Sequence, residues 1–284
     1  MSDYIDVTSQ CTFDPPHSTQ VTSSGTLNVV YNDSLSGKTY TTFQPYNVYP
    51  RSEFNSPYIF SNSVTNCANA FNGCTNFNSQ VTLSVNARRC NNLFRDCIKF
   101  DQPVTIPPAN IQDCNYMFYN CTNYNKYTYI PNSVIYCYRM FRSCTNFCSD
   151  VFIGTNVINY DEMFENCSSL NHKNFMILGN IQSAKNMFLG CSPSMSMTIR
   201  IPSKYPHNFT NMLSGRSSTA SGHLEIYMNR LFFDGSVPTT DFMNGLRNMF
   251  GTDQPVTDFE SSFQTLPYWI SHSNYNIRIL FNLG

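Results

Sequence analysis

Six phenylalanines recur at a spacing that few folds can accommodate. Phe71, Phe94, Phe118, Phe141, Phe164 and Phe188 follow one another at 23, 24, 23, 23 and 24 residues, and Leu213 extends the series 25 residues later. Each sits in a copy of one motif: CANAFNGCTNFN from Cys67, CNNLFRDCIKFD from Cys90, CNYMFYNCTNYN from Cys114 and CYRMFRSCTNFC from Cys137. YDEMFENCSSLN from Tyr160, AKNMFLGCSPSM from Ala184 and a decayed FTNMLSGRSS from Phe209 complete the set. A unit this short cannot bury its own apolar face, so it must stack on copies of itself, and the chain winds as a solenoid.

The second half of each unit carries a short extended segment about twelve residues after the anchoring Phe: Val81–Ser84, Val104–Pro107, Thr128–Pro131, Val151–Gly154, Asn174–Leu178 and Thr198–Pro202. Alternation within them predicts strands, and a closing proline or glycine turns the chain. A further apolar residue (Ile111, Val134, Val157, Ile181) precedes the next motif. Each coil therefore reads strand, turn, apolar anchor, short helix and return loop. The fold class this predicts is an α/β solenoid of 23–24-residue coils over residues 58–216. Its structural anchors are the six Phe above with Cys74, Cys97, Cys121, Cys144, Cys167 and Cys191.

The period falls in the leucine-rich-repeat range. The pattern Ile-Pro, then Val or Ile, then Met-Phe-x-x-Cys-Thr/Ser-x-Phe/Leu resembles BspA-type leucine-rich repeats over a little more than half of the chain. Asn and Tyr stand at many positions where that family has Leu. The resemblance implies an adhesion or scaffolding module with no shared catalytic residue, of the kind found on bacterial and protist surfaces and in bacteriophage tails.

Twelve cysteines raise the question of disulfides or zinc. The pairs Cys67/Cys74, Cys90/Cys97, Cys114/Cys121 and Cys137/Cys144 are seven residues apart. On the predicted helix that puts their Cα atoms about 10 Å apart, beyond the disulfide limit of about 7 Å. There is no Cys-x-x-Cys, and His17, His172, His207, His223 and His272 have no ligand spacing. Tyr160, Ala184 and Phe209 replace the first cysteine in later copies, as a packing slot tolerates and a metal site does not. The thiols read as small buried hydrophobes, with no metal and no cofactor.

The flanks carry no repeat. Residues 1–57 contain Thr26–Tyr31 and Lys38–Phe43, which read as a hairpin about a polar turn. Two roles fit this segment: a cap over the solenoid's open edge, or an attachment segment that docks the protein on a larger particle or a second copy. Residues 217–284 break the register and restore Met-Phe only at Met249-Phe250, as expected of an irregular repeat and a β-rich C-terminal cap. With a formal net charge of −1 and 12% charged residues, no basic field points to nucleic acid. No apolar run is long enough to span a membrane. The N-terminus has no basic start or apolar core, so a surface module of this type is expected to leave the cell inside a virion.

If Val104 and Ile106 point inward, Thr105 points outward. The matching outward row is Thr82, Thr105, Tyr129, Phe152, Phe175 and Arg200. Its aromatics make an apolar stripe, which fits a contact surface and equally fits the intrinsic preference of aromatics for strands. Chemistry is sparse: no nucleophile elbow, zincin motif or phosphate loop occurs. Asp161, Glu162 and Glu165 read as solvated charge on the helix face of one coil, not a glycan-cleaving pair repeated along the array. The sequence thus predicts a non-enzyme: a bacteriophage virion protein of the tail, baseplate or fibre serving host attachment or decoration. Its expected partners are other virion proteins or a second copy through residues 1–57, and a host glycan or protein. A cell-surface adhesin is the alternative, and a glycan-cleaving enzyme a minor one.

Overall fold

The computed structural model describes residues 64–176 without interruption. Beyond that stretch it describes 55, 57–60, 62, 181–192, 195–201, 208–214, 223, 244, 248, 249 and the strands named below. The chain winds as a stack of short parallel segments around one continuous buried core, a repeat solenoid.

The strand side begins with β1 (Tyr4–Asp6), β2 (Ser18–Thr22) and β3 (Leu27–Val30), followed by β4 (Tyr58–Ile59) and β5 (Val81–Thr82), in one five-stranded sheet. Strand β3 lies antiparallel to β2 and, through Leu27 and Asn28, parallel to β4. Of the expected hairpin between Thr26–Tyr31 and Lys38–Phe43, the first arm carries β3, and residues 38–43 lie outside the described residues. The segments β6 (Thr128–Ile130) and β7 (Val151–Ile153) pair in parallel with Tyr129 opposite Phe152. The last sheet holds β8 (His172–Met176), β9 (Ser196–Ile201) and β10 (Leu224–Asn229), joined on the far side by β15 (Ile277–Asn282), β14 (Tyr268–His272) and β13 (Glu260–Ser262). The two-residue strands β11 (Phe233–Asp234) and β12 (Val237–Pro238) pair separately. No strand forms at residues 104–107. Pro103 and Pro108 flank that segment and Pro107 closes it, and all three lack the amide donor a ladder needs.

The predicted short helices are not formed in the repeats. Where Cys-x-x-Met-Phe was expected to coil, the chain makes consecutive turns in which alternate amides point in different directions. The amides of Cys67, Asn69, Phe71 and Gly73 donate to the carbonyls of Arg89, Asn91, Leu93 and Arg95 in the next coil, at 2.8–2.9 Å. Those of Ala70, Asn72 and Cys74 donate three residues back within their own coil. An α-helix would keep every amide to itself; here half of them are spent on the neighbouring coil, which leaves few backbone groups unpaired along the stack.

This course needs two left-handed residues per coil, four apart. They are Asn69 and Gly73, Asn92 and Asp96, Tyr116 and Asn120, Arg139 and Ser143, Glu162 and Asn166, and Asn186 and Gly190, all at φ between 55° and 78°. Gly, Asn and Asp accept such backbone most readily, which explains their frequency in the motif.

The core is a double aromatic column. Phe71, Phe94, Phe118, Phe141, Phe164 and Phe188 stack face to face with centroids 5.4–5.7 Å apart. Phe77, Phe100, Tyr124 and Phe147 form a parallel column at 5.7–6.1 Å. The columns touch within each coil, as at Phe94–Phe100, 4.2 Å apart. The second-position cysteines line the same core, and each donates its thiol to the carbonyl of the Phe one coil earlier: Cys97 to Phe71, Cys121 to Phe94, Cys144 to Phe118, Cys167 to Phe141 and Cys191 to Phe164, at 2.9–3.1 Å. Cys74 is buried in the same column. The thiols are thus weak donors in a ladder as well as packing groups.

Candidate functional site

Two surfaces carry the residues from which a function can be argued. The first is the outward row of the strand side. Ile59, Thr82, Thr105 and Tyr129 are exposed and Phe152 is half-buried, while their neighbours Tyr58, Val81, Val104, Ile106, Ile130, Val151 and Ile153 are buried. The alternation follows from the two-residue period of extended chain. Tyr129 and Phe152 stack at 4.9 Å with planes 10° apart, making a two-coil aromatic platform. Tyr127, two residues before Tyr129, is 58% exposed.

The row does not continue as the sequence implied. Strand β8 spans His172–Met176, with residues 177 and 178 of the expected segment outside the described residues, and its register with β9 sets Phe175 opposite Ile199, which is buried. Arg200 sits opposite Met176 and Tyr227, so Phe175 and Arg200 do not share a register position. The side chains of Phe175 and Arg200 lie outside the described residues.

The second surface was not legible as a site. In the first left-handed position of the motif, coils carrying Asn69, Asn92, Asn186 and Asn211 flank three consecutive coils that carry Tyr116, Arg139 and Glu162, at φ of 55–56°. Each of these three larger residues holds a backbone that costs about 1–2 kcal/mol. They are brought into contact. Arg139 grips Glu162 through Nε and Nη2 at 2.7 and 2.9 Å and reaches the Tyr116 hydroxyl at 3.3 Å. Arg142 pairs with Glu162, and with Glu165 at 3.1 Å. The Arg139 guanidinium lies 4.6 Å from the Tyr138 ring, and that of Arg95 lies 4.9 Å from Tyr119. A break in the Asn column was the signal available in the sequence.

Glu162 and Glu165 are therefore not solvated charge: they are 8% and 7% exposed and ion-paired. Their titration diverges. Burial raises Glu165 to about 7, reinforced by its hydrogen bond to Glu162. Burial also opposes ionisation of Glu162, but its bonds to Arg139 and Glu165 and the nearby Arg142 outweigh that and hold it below the ordinary carboxylate value. Glu165 Oε2 and Arg142 Nε are buried with no hydrogen-bond partner. The charged groups of both arginines and both glutamates are turned on one another across coils, so the cluster is a brace.

All eleven cysteines among the described residues are free thiols, and Cys148 alone of them is not buried. Burial, partly offset by a bond to the coil before, pushes Cys191 up to about 12. Cys97, Cys121 and Cys167 rise for the same first reason. Such thiols carry almost no thiolate near neutrality and are poor nucleophiles. Among the described residues, no group of three or more His, Cys, Asp or Glu is placed to hold a metal ion.

Comparison with known families adds one match. Residues 58–151 and 109–199 match the family described as "Mycoplasma protein of unknown function, DUF285" in two overlapping stretches, together half of the chain. No curated protein and no solved structure matches. The matched span coincides with the stacked coils that carry the Phe columns and the thiol ladder, and the chain belongs to the DUF285 family, as tandem leucine-rich-repeat-like units.

Proposed function

We propose that the chain is a non-catalytic attachment module of a bacteriophage virion, placed in the tail, baseplate or fibre, which meets its partner on the strand side of the solenoid. The observation that carries this reading is the stacked Tyr129–Phe152 pair on the outward row. Aromatic side chains set rigidly side by side supply large contact area at small entropic cost, which suits sugar or protein surfaces. The low-charge composition, 12% charged residues, fits a particle surface. Residues 1–57 are proposed to join it to other particle proteins or to a second copy.

The double variant Tyr129→Ala with Phe152→Ala tests the reading by co-sedimentation with host cells and by incorporation into purified particles. The expected result is an unchanged melting transition and a loss of binding greater than about tenfold. A double variant that unfolds would make the row part of the core and end the proposal. The family description, of a Mycoplasma protein, favours one second reading: a bacterial cell-surface adhesin. Binding that persists with cells while no chain enters particles would select it.

A further inference from the structure

A groove of about 650 Å³ runs across four coils, lined by none of the strand-row residues. Its walls repeat with the coil. One row is Arg88, Gln112, Ile135 and Ile158; the other includes Asn110, Ser133 and Asn156. At the strand spacing of about 4.8 Å per coil it extends about 14 Å along the stack.

Three features restrict what it can hold. First, the backbone of the floor is spent. Gln112 N donates to Arg88 O, Ile135 and Tyr136 N to Gln112 O, Ile158 N to Ile135 O, and Gln182 and Ser183 N to Ile158 O. An extended peptide that recognises a free strand edge finds none here, so recognition falls to side chains. Second, the wall amides are held in place. Asn110 Nδ2 donates to Val85 O at 3.0 Å and Asn156 Nδ2 to Asn132 O at 2.7 Å, which leaves each Oδ1 to accept from a ligand hydroxyl. Third, no carboxylate lines the groove and Arg88 is its one charged residue. The part-exposed Ile135 and Ile158 supply an apolar step on each of two successive coils.

We propose that this groove binds a linear oligosaccharide running along the solenoid axis, with a carboxylate-bearing sugar at Arg88. Hydroxyl edges meet the fixed amide oxygens and Gln112, C–H faces rest on Ile135 and Ile158, and the guanidinium takes the carboxylate in a charge-assisted bond. One sugar ring per coil matches the repeat of the wall. The site is separate from the aromatic row and stands whether or not that row makes the contact proposed for it.

The test uses the full chain on an array of immobilised linear oligosaccharides, neutral and uronate-bearing, from three to six sugars long, with an extended-peptide array beside it. Arg88 and Gln112 join the coil ladder through backbone alone, so Arg88→Ala and Gln112→Ala leave the melting transition in place. The expected result is retention of uronate-bearing glycans at least about tenfold tighter than neutral ones. Arg88→Ala should abolish that preference, Gln112→Ala should weaken both kinds, and Tyr129→Ala with Phe152→Ala should change neither. A blank glycan array would overturn the proposal. So would signals that survive the Arg88→Ala/Gln112→Ala double variant, glycan signals lost with the aromatic row instead, or groove-dependent capture of peptides alone.

Discussion

Glu165 ties a local pairing to a property of the whole fold. Its carboxyl is pushed up to about 7 in the folded chain against an ordinary 4.5, because it is buried and lies beside Glu162. Between those values the unfolded chain has lost the carboxyl proton and the folded chain has kept it. The folded state then binds more protons, and stability from this group falls as pH rises through the window and levels off above it. Glu162 acts oppositely: its stabilising contribution is present above 4.5 and is lost as pH falls below it. Glu165→Gln keeps the neutral shape at every pH. The variant should melt with wild type at pH 4.5 and about 2–4 °C above it at pH 8. A variant that melts below wild type at pH 8 would mean that the Arg142 pair keeps Glu165 ionised.

At the scale of one coil, the left-handed positions decide the fold of the motif. Met-Phe-x-x-Cys places its apolar residues at three- and four-residue steps, a spacing shared by an amphipathic helix and by this run of turns. The distinction lies in where the amides of Asn69 or Asn92 go, and they go to the next coil. Hydrogen bonds between coils leave no periodic mark in a single repeat, so the sequence pattern predicts a helix where turns occur. The column from Phe71 to Phe188 was legible because its face-to-face packing repeats the same residue in every coil. The Tyr116–Arg139–Glu162 contact was not, since it depends on side chains from three coils meeting. The turn geometry makes a sharp prediction at Asn92, where φ is 55° and the side-chain Oδ1 is buried without a partner. Asn92→Gly should be neutral or stabilise by up to about 1 kcal/mol, whereas Asn92→Val should cost about 2 kcal/mol or more in urea unfolding. A helix at this position would reverse the order, favouring Val over Gly.

For the whole molecule the open question is what closes the first end of the stack. Strand β3 pairs in parallel with β4, Leu27 opposite Tyr58, so residues before the first coil extend the solenoid's own sheet by three strands. Among the described residues that extension leaves β1, Tyr4–Asp6, as the outermost strand, the place in a sheet where backbone can pair with another chain. If residues 1–57 join copies or particle proteins, as proposed, the full chain in light scattering should weigh a multiple of its 32.5 kDa. A chain starting at Ser56 should then fall to a single-chain mass. The edge bared by this cut, Tyr58–Ile59, is two residues long, too short to hold a second chain by pairing alone. A shortened chain that gains mass would assign the segment the opposite work: covering the sheet edge and the core behind it, where Tyr58, Phe60 and Phe71 pack edge to face. The attachment would then have to come from the strand row or the groove.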